Sequence, residues 1–316
     1  MAGNESLNKA ATAKQDEFYT TLQAIEKELR YYRKHFKGKT VLCNCDDPFE
    51  SKFFEYFVKN FNKLGLAKLI ATCYAGSPVM GKQLSLFDVV PEAEPGTSYK
   101  AIVTSVYDAT GDGYVDMHDV RELFVNGENE LTELAGDGDF RSAECLALLD
   151  EADIVVTNPP FSLFREYMHE LISRDKKFVI IGPQNAVKYR DIFPLIMQNR
   201  VWLGYNNGDM AFMVPDYFEP RETRYWQDEA GQKWRSMGNI CWLTNLDIKK
   251  RHEDLILVKR YSPDRYIKFE NYDALIVNKV DEIPCDYCGV MGVPITFLDK
   301  HNPSQFEILG RTGNIE

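Results

Sequence analysis

Asp153-Ile154-Val155-Val156-Thr157-Asn158-Pro159-Pro160-Phe161 is the stretch that decides the fold. Its first half is a short β-branched apolar run, the pattern of a strand buried on both faces in a parallel sheet. Pro159 and Pro160 stop it, because neither a strand ladder nor a helix accepts two successive residues without an N–H. A strand that breaks this way turns its next side chains outward at its carboxyl end, the edge where open α/β sheets bind ligands. Asn158 carries a side-chain carbonyl able to accept one N–H of a planar amine, and the Pro159 backbone carbonyl can accept the other. Two such acceptors localise the nitrogen lone pair, which suits transfer of a methyl group to that nitrogen. Phe161 adds an aromatic face on which a base taken out of its stack can rest. A proline-rich loop that merely ends a strand is the plain alternative.

Strand and helix patterns alternate on both sides of that stretch. Lys39–Asp46, Leu66–Tyr74 and Lys177–Gly182 read as strands, and Phe49–Phe61, Ser142–Leu149 and Ser162–Ser173 as helices. This alternation predicts a parallel, doubly wound α/β sheet. Val201–Tyr205, Ala211–Val214 and Ile240–Asn245 read as further strands that complete it with an antiparallel hairpin.

Between Gly76 and Leu134 the chain turns acidic and does not read as a simple continuation of the sheet. Leu86 to Val155 holds 17 acidic and 3 basic residues, so the formal charge of −11 leaves about +3 for the rest. An acidic average therefore does not exclude a basic face for a polyanion. Within this stretch, Asp108, Thr110, Asp112, Asp116 and Asp119 stand in the register of a calcium loop, with Gly113 at its sharp turn. Ala101–Tyr107 reads as a strand where that motif needs a helix, so a β-hairpin turning at Thr110–Gly113 competes with structural Ca2+.

The chain has 316 residues, 44% of them hydrophobic, enough for one catalytic domain and a smaller module. Without a run of about 18 apolar residues or an apolar leader, a soluble cytoplasmic protein with no membrane partner is expected. Seven scattered cysteines fit a reducing compartment. Cys285 and Cys288 have zinc-like spacing, but no second pair stands at a matching distance.

The Asn-Pro-Pro-Phe stretch, with Asp16-Glu-Phe-Tyr-Thr20, Cys43-Asn-Cys-Asp-Asp-Pro48, Gly136-Asp-Gly-Asp-Phe-Arg-Ser142 and Gly289-Val-Met-Gly-Val-Pro-Ile-Thr-Phe297, resembles the EcoRI-type DNA adenine methyltransferases from about Asp16 to Phe306. The resemblance implies a Rossmann-like methyltransferase sheet, S-adenosylmethionine as donor, and the N6 amino group of a flipped adenine in double-stranded DNA as acceptor. Residues 1–15 would form a flexible arm, 16–246 the catalytic domain with an inserted acidic hairpin or loop segment at 75–135, and 247–316 a C-terminal target-recognition region. Phe18, Tyr19 and Thr20 would cover the methionine end of the cofactor, although Phe18 and Tyr19 also suit a hydrophobic staple.

The first strand ends without the usual Gly-rich turn, and Asn44, Cys45, Asp46 and Asp47 take its place. Asp46 or Asp47 would bind the ammonium or the ribose. Asp139 and Phe140 suit the adenine end, as acceptor and ring, with Asn158 nearby; Asp139 would equally cap the following helix. Arg141 suits a surface charge as well as a role in this turn. From Glu219 to Lys268 there are 11 basic and 8 acidic residues, with Tyr225, Trp226, Trp234, Tyr261 and Tyr266 among them. DNA contacts are expected from Lys188, Arg221, Arg224, Trp234, Arg235, Lys249, Lys250 and Arg251. A monomer suffices, since each strand of a palindromic site can be methylated in a separate encounter, and a companion restriction enzyme is left open. Another planar amine as substrate (an RNA base, cytosine or protein glutamine), or an idle DNA binder, are the competing readings.

Overall fold

Residues 19–45, 51–73, 98–214 and 218–312 are described by the computed structural model. They fall into two compact units, Met1–Ala186 with Gly204–Leu246 and Val187–Leu203 with Asp247–Glu316. The chain thus changes unit after Leu246, and residues 187–203 group with the second unit although the sequence places them inside the catalytic stretch.

The first unit is a mixed α/β structure built on one sheet. Its strands are β1 (Tyr19–Thr20), β2 (Thr40–Asn44), β3 (Lys68–Thr72), β4 (Tyr99–Val103), β5 (Glu130–Glu133), β6 (Ile154–Thr157), β7 (Lys177–Pro183), β8 (Gly208–Val214), β9 (Tyr225–Gln227) and β10 (Lys233–Thr244). Among the described residues the order is β1-β8-β10-β7-β6-β2-β3-β4-β5, with β9 on β10. The centre, β3-β2-β6-β7, is parallel, and antiparallel strands flank it on both sides. Burial explains the composition of the centre: all four residues of β6 are buried, as are the last four of β2 and of β3.

Its helices of eight residues or more are α1 (Leu22–Leu29), α2 (Lys52–Leu64), α3 (Met117–Val125), α4 (Ala143–Glu151) and α5 (Phe164–Ser173). In α2 the Ser51 hydroxyl accepts the Phe53 and Phe54 N–H groups at the N-terminus. Gly65, at φ +64°, ends the helix in the left-handed conformation. Phe53, Phe54, Phe57, Phe61 and Leu64 repeat at helical spacing and are buried.

The acidic stretch differs from its reading. β4 and β5 continue the sheet as antiparallel edge strands. Thr110–Gly113 is not a hairpin turn, because the chain passes into α3 before it returns as β5. The local reason is a capping box, in which Asp116 caps α3 and the Asp119 carboxylate accepts the Asp116 N–H.

One buried carboxylate ties α1 to the entrance of β8. Glu28 is fully buried and accepts the N–H groups of Tyr205 and Asn206, the Asn206 amide and the Tyr32 hydroxyl. Burial raises its carboxyl pKa while these four donors pull the other way. Substituting Glu28→Gln replaces one acceptor with an amide donor that faces N–H groups. Thermal melts should show a loss of about 2–3 kcal/mol; an unchanged melting temperature would remove Glu28 from this role.

The second unit has a core of Tyr266, Leu275, Val277, Ile283 and Phe297. Two short parallel strands, β11 (Leu275–Ile276) and β12 (Met291–Gly292), run beside it. The Gly289–Phe297 stretch therefore supplies a strand and a core ring, and Phe306 packs edge-on against Phe297 at 5.2 Å.

Candidate active site

The parallel centre brings the ends of β2 and β6 side by side. Asn158 follows β6 and is 9% exposed; Pro159 is buried, and Pro160 and Phe161 are half-buried. The Pro160 carbonyl accepts the Leu163 N–H, so a tight turn carries Phe161 into α5. Asn44, at the end of β2, is gripped twice. Its backbone carbonyl accepts the Thr157 hydroxyl, and its side-chain carbonyl accepts the Tyr167 hydroxyl from α5. Phe140 packs edge-on against Tyr167 at 5.1 Å. Asn44, Thr157, Tyr167 and Phe140 thus form one buried run under the Asn-Pro-Pro-Phe turn.

Next to Asn44, Cys45 has φ +78°, in the left-handed region that a Gly-rich turn would normally occupy. Cys45 thus takes a glycine-like conformation at the strand end without being glycine, at a strain of roughly 1–2 kcal/mol. Asp46 and Asp47 lie outside the described residues, as do Phe18 and the Tyr19 side chain.

At the end of β3, the Gly136–Asp139 turn lies against the strand. Gly138 has φ +78°, and a Cβ there would stand 2.0 Å from the Cys73 carbonyl oxygen. The Asp139 carboxylate takes the Arg141 guanidinium in a fork, at 2.9 Å to Nε and 2.6 Å to Nη2. That guanidinium holds the Asp139 carboxyl below its ordinary pKa, so it stays an acceptor at neutral pH. Arg141 also reaches Glu166 on α5 at 2.7 Å. It thus bridges the Asp139 turn and the helix after the Asn-Pro-Pro-Phe stretch while staying exposed. The Ser142 hydroxyl, and not Asp139, caps α4. Phe140 is buried, with its ring committed to Tyr167 and to the Arg141 guanidinium at 5.3 Å.

Thr20 pairs with Phe212 on β8, four strands from β6 in the sheet order. Its hydroxyl is buried and has no hydrogen-bond partner among the described residues. A buried polar atom with no partner is a place where a polar ligand group is favoured. The buried Thr20 hydroxyl and the ionised Asp139 carboxylate are each acceptors of the kind that ammonium, hydroxyl or amino groups require.

The expected DNA contacts separate. Arg221, Arg224 and Lys188 are exposed, and Arg224 reaches Asp209 at 3.3 Å. Trp234 stacks on Trp226 at 6.2 Å and donates its indole N–H to Asp228. Arg235 is half-buried beside Phe218. In the second unit Lys249 is exposed, whereas Lys250 pairs with Asp299 at 2.7 Å. Arg251 is a correction: its guanidinium is buried, lies 4.1 Å from the Trp202 ring centre and donates to Asn199. It braces the second unit and does not face solvent.

The calcium expectation is also corrected. Asp108 accepts the N–H groups of Gly111, Asp112 and Gly113, and Asp119 accepts those of Ala109, Thr110 and Asp116 and the Thr110 hydroxyl. Two of the expected ligands thus turn their carboxylates to the loop's own backbone. Among the described residues no group of three His, Cys, Asp or Glu side chains could hold a metal ion. Cys285 and Cys288 are exposed free thiols.

A family profile, adenine-specific methyltransferase EcoRI, matches residues 6–316. The chain belongs to the EcoRI family of adenine-specific methyltransferases. It is 46% identical to the type II methyltransferase M.EcoRI of Escherichia coli, over 98% of this chain and 89% of the relative. It is 37% identical to the type II methyltransferase M.MpnI of Mycoplasma pneumoniae, over 97% and 86%. It is 36% identical to the type II methyltransferase M.MgeORF184P of Mycoplasma genitalium, over 97% and 86%. No solved structure matches the chain. Membership implies S-adenosylmethionine as methyl donor. No described helix is long and apolar enough to cross a membrane.

Two substitutions test the turns. Cys45→Gly relieves the left-handed strain and should raise stability by about 1 kcal/mol in thermal melts. Gly138→Ala forces a methyl group into the Cys73 carbonyl and should cost at least about 2 kcal/mol. Melting curves in excess calcium and in chelator should superimpose, because the loop's carboxylates are already satisfied; a rise with calcium would restore the metal reading.

Proposed function

We propose that this chain transfers a methyl group from S-adenosylmethionine to the N6 amino group of an adenine turned out of double-stranded DNA. The observation that carries this reading is the Asn158-Pro159-Pro160-Phe161 turn at the carboxyl end of β6, the middle of the parallel strands, in a chain of this family. S-adenosylmethionine supplies an electrophilic methyl group on a sulfonium. The chain supplies alignment. The Asn158 side-chain carbonyl and the Pro159 backbone carbonyl accept the two amino N–H groups, which turns the nitrogen lone pair toward the methyl group. Phe161 offers its half-buried ring to the extruded base. Thr20, the Asn44–Cys45 turn and Asp139 hold the cofactor, and the Phe140 ring, behind Tyr167, closes the adenine end. Catalysis comes from placement and fixed dipoles, so no nucleophilic side chain is required.

Charge placement supports DNA at one side. The acidic β4–β5 edge stands at one end of the strand order, and the arginine-bearing β8–β10 region near the other. Phosphate repelled by the first is led to the second. Residues 247–316 would complete target recognition through Lys249 and neighbouring exposed side chains.

The test is modified-base sequencing of DNA from cells that express the chain or its Asn158→Ala variant. Methylated adenine at one short motif, lost in the variant while cofactor and DNA binding persist, is expected. Unmodified DNA from cells with the intact chain would overturn the reading.

A further inference from the structure

β10 is longer than the strands it joins. Ile240 pairs with Pro183, the last residue of β7, and beyond a register shift Met237 to Lys233 pair only with β8 and β9. The strand therefore runs on past the carboxyl edge of the parallel centre, the edge that Asn158 occupies. At roughly 3.3 Å per residue the ribbon stands well clear of that edge.

The ribbon is stiff. Trp226 and Trp234 face each other in register and stack within 5° of parallel. Asp228 accepts the Trp234 indole N–H at 2.8 Å, and the Ala230 and Gln232 N–H groups at 3.0 and 2.9 Å, which closes the turn. Its carboxyl is held below the ordinary range first by that indole.

Beside Trp234 on this ribbon, Arg235 shares one ring with Arg221 from the stretch before β9. Arg221 and Arg235 lie 5.7 and 5.4 Å from the centre of Phe218, itself buried. Each contact is favourable, yet together they hold like charges close. Partial burial lowers the Arg235 proton affinity and the Arg221 charge lowers it further. Two planar donor forks held by an apolar ring on the projecting ribbon are complementary to a phosphate oxygen pair. An anion between them would also relieve their repulsion.

We propose that Arg221 and Arg235, set on Phe218, form a clamp for one backbone phosphodiester of duplex DNA. This rests on the methyltransferase reading above and adds the point at which the strand is anchored. The clamp positions the duplex and carries no base specificity.

The experiment is equilibrium binding of a labelled mixed-sequence duplex across a salt series, with S-adenosylmethionine affinity measured in parallel. Arg221→Gln and Arg235→Gln should each weaken duplex binding about tenfold, and the double variant should flatten the slope of log affinity against log salt by about one. Arg235→Lys, which keeps the charge and loses the fork, should fall between, and guards against a folding defect in the glutamine variant. Cofactor affinity should stay at the wild-type value. Wild-type affinity and slope in all the variants would overturn the clamp and leave the methyltransferase reading intact. Lost cofactor affinity with unchanged duplex binding would also overturn it, because the anion would then be the cofactor carboxylate. An intact chain that neither binds duplex nor methylates it would overturn both.

Discussion

Asn44 is held by two hydroxyl groups that arrive from different parts of the chain, Thr157 from 113 residues away and Tyr167 from 123. The ends of β2 and β6 and the helix after the Asn-Pro-Pro-Phe turn all meet at this residue. A buried acceptor that loses such a donor bears the cost of its desolvation, so the three elements are held together more tightly than apolar packing alone requires. Phe140 joins through Tyr167, and the Gly138 turn is pressed onto the end of β3 on the other side. The position of Asn158, the residue after Thr157, follows from that junction.

A second constraint acts where the sheet becomes antiparallel. The Glu28 carboxylate gathers two backbone N–H groups, an amide and a phenol, and fixes the loop that starts β8. Because β8 pairs with β10, the same contact sets the base from which the tryptophan ribbon projects. The scaffold thus has a parallel half that carries the Asn-Pro-Pro-Phe turn and an antiparallel half that reaches outward. Antiparallel pairing suits the second task, since its strands can outrun their neighbours and be joined by a short turn.

Much of this was readable along the chain. The β-branched run before Asn158 marked the central strand, and the following prolines marked where it stops. The alternation of strands and helices gave the parallel centre. The acidic stretch misled, because Thr110–Gly113 has turn residues and Asp108–Asp119 has calcium spacing, whereas the carboxylates serve the backbone and the cap of α3. Composition also over-counted the basic cluster at 249–251: Arg251 is turned inward onto Trp202 and Lys250 is paired with Asp299.

By itself the sequence determined the α/β class, the place of the Asn-Pro-Pro-Phe turn at a strand end, and the family, because period, proline chemistry and motif are local properties. Tertiary structure alone decided that Cys45 takes a glycine's conformation, that Arg141 serves Asp139 and Glu166, and which arginines meet solvent. Each of those depends on burial or on partners distant in the chain, and neither leaves a mark on the residue's neighbours in sequence.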